Sequence, residues 1–294
     1  MRKWKKAVSL MLTAAMALSF AACGGSASSA SSASGTAGSS EAESAADSAA
    51  ASENVASFTE SDVAYVQDKG TLVVGMTDFA PMDYRNDSGE WIGFDADLAR
   101  AFAEHLGVEP QFQLIDWDSK ILELDGKTID VVWNGMTLTD EVTSAMECSE
   151  PYLNNAQVVV VKADVADQYQ TAESLAGLNI AVEAGSAGEA AIAELGYTST
   201  PVLDQATALL EVSSGTCDAA VIDSLMAAAM IGEGTSYDDL TYTVGLTTEE
   251  YGIGFRKGSD LAAELDAFLD ECYADGSMQT IAETYGVQAA LIER

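Results

Sequence analysis

The chain has 294 residues, 48% of them hydrophobic, with 13 Lys and Arg against 47 Asp and Glu for a formal net charge of −34. That length holds one large or two ordinary domains, and that charge excludes nucleic acid and polybasic membrane attachment, both of which need Lys and Arg. Four Cys without CxxC or CxxH spacing argue against structural zinc, and the single His105, inside a predicted helix, leaves no usual Ser-His or Cys-His catalytic pair.

Residues 1–6 carry four positive charges, and an uncharged 16-residue run follows from Ala7 to Ala22. A basic start, a short apolar stretch and a small-residue cleavage site predict a secretory signal peptide over 1–22. The alternative, a membrane helix, is disfavoured because a span needs roughly 20 apolar residues. Phe20-Ala21-Ala22-Cys23 resembles the lipobox of lipoproteins, with Phe20 where Leu is usual, and so implies a diacylated Cys23. Of residues 24–54, 25 are Ser, Ala or Gly, and none is aromatic or branched aliphatic. Such a segment cannot bury enough surface to offset its ordering entropy, so 23–55 is expected to be a flexible tether. Cleavage removes four basic residues and no acidic one, leaving 9 Lys and Arg against 47 acids. Three Cys then remain inside the body, Cys148, Cys217 and Cys272, an odd number that leaves at least one unpaired.

The body alternates strand and helix. Thr71–Met76 reads as a strand, and Phe94, Leu98, Phe102 and Leu106 mark a helix that Asp95 is placed to cap and Gly107 to end. Gln111–Ile115 reads as a second strand, Asp118 as the cap of a helix through Ile121 and Leu124, and Ile129–Trp133 as a third strand. The pattern restarts at Leu178–Val182, with a glycine-rich turn at 185–188 and a helix from Glu189 to Leu195. Strands at Thr200–Leu203 and Asp218–Ile222 then alternate with helices at Ala206–Val212 and from Asp223 to Ile231. Short apolar strands between amphipathic helices predict parallel sheets covered on both faces. A continuous strand at Ala156–Val161 and a second crossing near Thr243–Ile253 imply that the chain leaves the first unit, builds a second and returns. Helices at Leu261–Tyr273 and Met278–Tyr285 would cover the first unit.

In order, Gly75-Met76-Thr77-Asp78-Phe79-Ala80-Pro81-Met82, Gly93-Phe94-Asp95-Ala96-Asp97-Leu98-Ala99, Asp116-Trp117-Asp118, Asn134-Gly135-Met136-Thr137-Leu138-Thr139-Asp140, Ser149-Glu150-Pro151-Tyr152 and Phe255-Arg256-Lys257-Gly258 resemble the amino-acid-binding proteins of ABC importers, solute-binding protein family 3. The resemblance covers residues 71–286. It implies an α/β, two-lobed periplasmic-binding-protein-like fold (type II) with two hinge strands and a ligand cleft. One lobe would comprise 56–157 plus 250–294 and the other 158–249. It implies a monomer tethered by lipid to the outer face of the cytoplasmic membrane, an ABC transporter permease as partner, a small amino-acid-like ligand, and no cofactor or metal.

Ligands of open α/β sheets sit beyond the carboxyl ends of the strands. By the resemblance, Phe79 and Trp117 would sandwich the ligand's aliphatic part, although core packing is the plainer reading of Phe79. The segment Asn134, Gly135, Met136 and Thr137 would meet the amino acid's main chain, with Asn134 in need of a partner that a ligand could supply. Ser186, Ala187 and Gly188 open a helix whose free N–H groups suit a carboxylate. Asp223 would receive the α-ammonium, or else cap the helix that follows. The family's carboxylate-clamping Arg falls at Val142 here, and no other Arg is well placed to replace it, with Arg85 in a polar turn, Arg100 on a helix and Arg256 at the end of the returning strand; Lys120 is the one cation near Trp117 in sequence. Asp78, Asp116, Asp118 and Asp223 would surround the ligand. A larger or cationic ligand is therefore expected, and weak binding of simple neutral amino acids. Two other classes stay open. One is a cyclohexadienyl-dehydratase-like enzyme, with Glu150 or Glu183 as acid; the other is a ligand-sensing lipoprotein.

Overall fold

The computed structural model describes residues 61–294. The signal peptide, Cys23 and the tether lie outside the described residues. Helix α1 (Asp62–Lys69) is capped by the Ser61 side chain and closed by Gly70 in the left-handed region. Strand β1 (Thr71–Met76) follows, then the short pair β2 (Tyr84–Arg85) and β3 (Trp91–Ile92), helix α2 (Phe94–Leu106) and strand β4 (Glu109–Leu114). Next come α3 (Lys120–Asp125), β5 (Val131–Thr137), α4 (Asp140–Ala145), β6 (Met146–Cys148) and β7 (Leu153–Asn155). The chain then crosses into a second sheet with β8 (Gln157–Lys162), β9 (Ile180–Glu183), α5 (Ala187–Glu194), β10 (Thr200–Val202), α6 (Gln205–Ser214), β11 (Ala219–Asp223), α7 (Ser224–Met230) and β12 (Leu240–Gly245). It returns through β13 (Glu249–Arg256) and ends in α8 (Leu261–Asp275) and α9 (Ser277–Tyr285).

The first sheet has the order β4-β1-β5-β13-β6, with β7 also on β13; the second has the order β10-β9-β11-β8-β12. The apolar face of α2 packs on the first sheet, with Phe102 against Trp133 and Phe268, so α2 and α8 share one core. The all-Val stretch of β8 is buried between the helices of the second sheet, as a strand covered on both faces must be.

Four expectations are corrected. The sheets are mixed rather than parallel, because β13 pairs antiparallel with β5, and β8 antiparallel with β11 and β12. These two strands reach their sheets directly from the other lobe, without the helical crossover that a parallel neighbour needs. Residues 134–137 are not a loop but the end of β5, where the register against β13 shifts between Gly252 and Gly254. Asp95 does not cap α2, whose N-cap is Gly93; it is wholly buried and accepts from Gly135 N and the Tyr152 hydroxyl. Asp118 does not cap α3 either: Ser119 stands there, and Asp118 lies in a 3₁₀ turn against Gly185 of the other lobe.

Candidate functional site

A cleft of about 320 Å³ opens between the carboxyl ends of the two sets of strands. From the first lobe it is lined by Phe79, Trp117, Lys120, the β5 residues Asn134, Gly135, Met136 and Thr137, and Val142 of α4. Gln157, at the crossing where β8 begins, joins them, and from the second come Glu183, Ser186, Ala187, Gln205 and Asp223. Of the ten residues expected to contact the ligand, Gly188 alone does not line the cleft. Helix α5 starts two residues earlier than expected, and inside it Gly188 turns toward Gln157 and Val221.

The local chemistry fixes how each side chain stands. Phe79 is 2% exposed and meets Tyr251 edge-on, so it is a core residue with one face on the cleft. Trp117 lies under the Lys120 ammonium, 4.9 Å from the ring centroid. Lys120 is buried and donates to Trp117 O (3.2 Å) and to Gly185 O (3.0 Å), the latter across the cleft; burial lowers its pKa. Asn134 finds its partners within the protein. It accepts from the Thr77 N–H and hydroxyl and donates to Thr77 O and Asp83, so no ligand is needed to satisfy it. The Thr137 hydroxyl is likewise committed, donating to Glu249 at 2.8 Å. Ser186 caps α5 by accepting from Glu189 N, while the Glu189 carboxylate reaches back to Gly185 N at 2.8 Å.

Asp223 ends β11 without capping α7. Its carboxylate accepts from Asn155 (2.5 Å), Gln157 and Gln205, and Gln205 returns a bond from Asp223 N at 2.8 Å. Glu249 lies beside it, taking bonds from Asn155, Gln157, Thr137 and Thr247. Burial first, and the neighbouring Glu249 second, push the Asp223 carboxyl up to about 8. Glu183, at the end of adjacent strand β9, is 3% exposed, and its Oε1 has no hydrogen-bond partner. Burial, then Asp223, push Glu183 up to about 8. Asp140, Glu141 and Glu194 add three exposed carboxylates to the lining, whose only cation is Lys120.

The cations eliminated in sequence are elsewhere. Arg85 stacks on Trp91, Arg100 pairs with Asp97, and Arg256 pairs with Asp62. Val142 does line the cleft. Asp78 and Asp116 do not; with Glu123 and Asp204 they line a separate groove. Glu150 is exposed and away from the cleft, whereas Glu183 is in it. Gln157, Gln205 and Glu249 escaped the sequence reading. A polar residue opening the apolar strand β8 was the one available signal, for Gln157; nothing local marks the other two. Cys148, Cys217 and Cys272 are all free. Among the described residues no group of His, Cys, Asp and Glu could hold a metal ion, and no helix is long and apolar enough to cross a membrane.

Two α/β lobes joined by two crossings, with a polar cleft where the strands end, define a solute-binding protein. The chain belongs to the bacterial extracellular solute-binding proteins, family 3, whose pattern matches residues 72–288. It is 30% identical over 241 residues to the L-cystine-binding protein TcyJ of Escherichia coli K12, covering 80% of this chain and 90% of that one. It is also 30% identical over 222 residues to the arginine-binding extracellular protein ArtP of Bacillus subtilis 168, covering 72% of this chain and 85% of that one. Among solved structures, a mutant of ArgBP from T. maritima matches with a TM-score of 0.72 and 32% identity, covering 76% of this chain and 98% of that one. The ancestral amino acid-binding protein AncCDT-1, a precursor of cyclohexadienyl dehydratase, matches with a TM-score of 0.70 and 32% identity, covering 76% and 99%.

Proposed function

We propose that this protein captures a cationic, amino-acid-like solute outside the cytoplasm and delivers it to an ABC importer, without chemistry of its own. The observation that carries the reading is the charge of the cleft: five carboxyl side chains and one ammonium line it, with no guanidinium. A zwitterion gains little from such a site, whereas a cation neutralises carboxyls that are otherwise crowded together. Relatives named for binding arginine, and lysine, arginine and ornithine, support a cationic ligand. Phe79 and Trp117 hold its apolar part, and Asp223 receives an ammonium. Residues 56–157 with 250–294, and 158–249, act as the two lobes. Cys23 carries the lipid that keeps a monomeric body at the outer face of the membrane, within reach of a permease.

The test is a thermal-shift screen of purified protein over amino acids, amines and short peptides. A ligand that binds only the native state raises stability by RT ln(1 + [L]/Kd). Cationic compounds should raise Tm, and simple neutral amino acids should not; sub-micromolar binding of several neutral amino acids would sink the reading. For the anchor, the intact mass of protein from native membranes should lack residues 1–22 and carry a diacylglycerol on Cys23. An unmodified secreted chain as the main species would contradict it.

A further inference from the structure

The donors and acceptors of the cleft do not balance. Among the donors, the amides and the ammonium are engaged with the protein itself. Both Gln157 hydrogens go to Asp223 and Glu249, those of Asn134 to Thr77 O and Asp83, and Lys120 is held between Trp117 O and Gly185 O. The anion-attracting end of α5 already has a carboxylate, that of Glu189, on Gly185 N. What is left to donate is sparse: hydroxyls, first-turn N–H groups, one hydrogen of the Gln205 amide and the third proton of Lys120. Among the acceptors, a buried carboxyl oxygen, Glu183 Oε1, accepts no hydrogen bond, since the nearby Thr77 hydroxyl donates to Asn134 instead. It stands beside Asp223 at the end of the adjacent parallel strand, where β9 and β11 pair through Ala181 and Ala220. A buried polar atom without a partner is costly, and a donor-rich ligand is what would relieve it.

Resting on the reading of a cationic ligand, we propose that the solute is a small amine bearing no carboxylate, whose ammonium is bound between Glu183 and Asp223. An α-amino acid would bring a carboxylate into a cleft with four more acids than bases and no clamp to receive it. Burial and the neighbouring carboxyls raise the pKa values of Glu183 and Asp223, and an ammonium between the two would favour their ionised forms. Glu183 thereby becomes the residue that selects amine over amino acid. The three exposed carboxylates at Asp140, Glu141 and Glu194 attract the cation to the opening.

The experiment is calorimetry of the purified protein with paired probes: cadaverine against lysine, putrescine against ornithine, agmatine against arginine, histamine against histidine. At least one amine should bind ten-fold or more tighter than its parent amino acid. Glu183→Gln, which keeps the shape of the side chain, should lose ten-fold or more of that affinity while still melting cooperatively. If the parent amino acids bind as well as their amines, the inference is overturned and the reading of a cationic ligand stands. If neutral amino acids alone bind, both are overturned. Amine binding that is unchanged in Glu183→Gln, or no response to any amine at millimolar concentration, also overturns the inference.

Discussion

Glu183 and Asp223 are two buried carboxyls at the ends of neighbouring strands, and their environment makes a pH dependence with a definite sign. The titratable groups facing them are Glu249, Asp204, Lys120 and the Tyr251 hydroxyl. Both pKa values are about 8 in the folded protein, against about 4 in an unfolded chain. A carboxyl raised in this way stabilises the fold fully below its unfolded value and loses that contribution as the pH rises through its folded one. Asp95, pushed up to about 7 chiefly by burial, has the same sign. The ligand-free Tm should therefore fall between about pH 4 and pH 8, by about 2–4 °C for each kcal/mol lost. A cation between the carboxyls favours their ionised form, so binding releases protons, and affinity climbs toward pH 8 and levels above it. Calorimetry in two buffers of different ionisation enthalpy would detect the released protons; equal heats in both would refute the linkage. At Val142, buried and lining the cleft, an Arg would supply the missing carboxylate clamp. Val142→Arg should raise the affinity for α-amino acids ten-fold or more, and an unchanged affinity would show that position 142 does not reach the ligand.

The end of β5 is the element on which the first lobe's side of the cleft depends. Asn134 is tied to Thr77 of the chain following β1, and Gly135 N to Asp95 of α2, so two neighbours fix the turn of the strand. Gly135 has φ of 54° there, and a Cβ would lie 2.5 Å from Phe79 Cε1 and 2.9 Å from Tyr251 Cε2. Both rings are buried and cannot withdraw. Gly135→Ala should therefore cost about 1–3 kcal/mol in stability and weaken ligand binding as Phe79 is displaced. Denaturant melts and calorimetry of the variant would check this; wild-type values in both would mean the strand end yields freely. Arg256 shows the same interdependence at the far end of β13. It pairs with Asp62 of α1 at 3.1 Å and lies 3.7 Å from Asp130, in a site where all three are buried. Arg256→Ala would leave Asp62 without its charged partner, Asp130 keeping Lys69, and should destabilise the body by about 3–5 kcal/mol.

At the scale of the molecule, the lobes meet at a few points. Lys120 spans the cleft to Gly185 O, and Asp118 packs against Gly185. Against closure stand Asp78 of one lobe, whose carboxyl is raised by burial and then by Asp204 of the other, and the carboxyls inside the cleft. Without a cation the closed form is penalised, and with one it is stabilised by contacts to both sides. Ligand should shrink the particle in solution scattering and change Trp117 emission. Gly185→Ala places a Cβ 2.7 Å from Asp118 Cα, in a backbone with φ of 69°. That variant should stay expanded when ligand is added, and full compaction would show that this contact is not part of closure.

Periodicity and punctuation in the sequence determined the order of strands and helices, because a four-residue apolar spacing or a β-branched run is a local property. Gly107 and Gly196 closed their helices as read, both with positive φ. Arg85 and Arg100 lie away from the cleft as expected, each with a partner nearby in the chain, whereas Arg256 is held away from it by Asp62, which only the fold brings close. Strand direction was decided only by the fold: β8 and β13 look like any apolar strand, and what makes them antiparallel is the lobe from which they arrive. Polar roles were decided there too. Asp95 and Asp118 have the sequence context of helix caps, yet one is buried under Gly135 and the other faces the opposite lobe. The same holds for Glu183, Gln205 and Glu249, which converge on Asp223 from strands and helices far apart in the chain. Burial and neighbouring charge set the chemistry of such groups, and both arise only when distant segments are packed together.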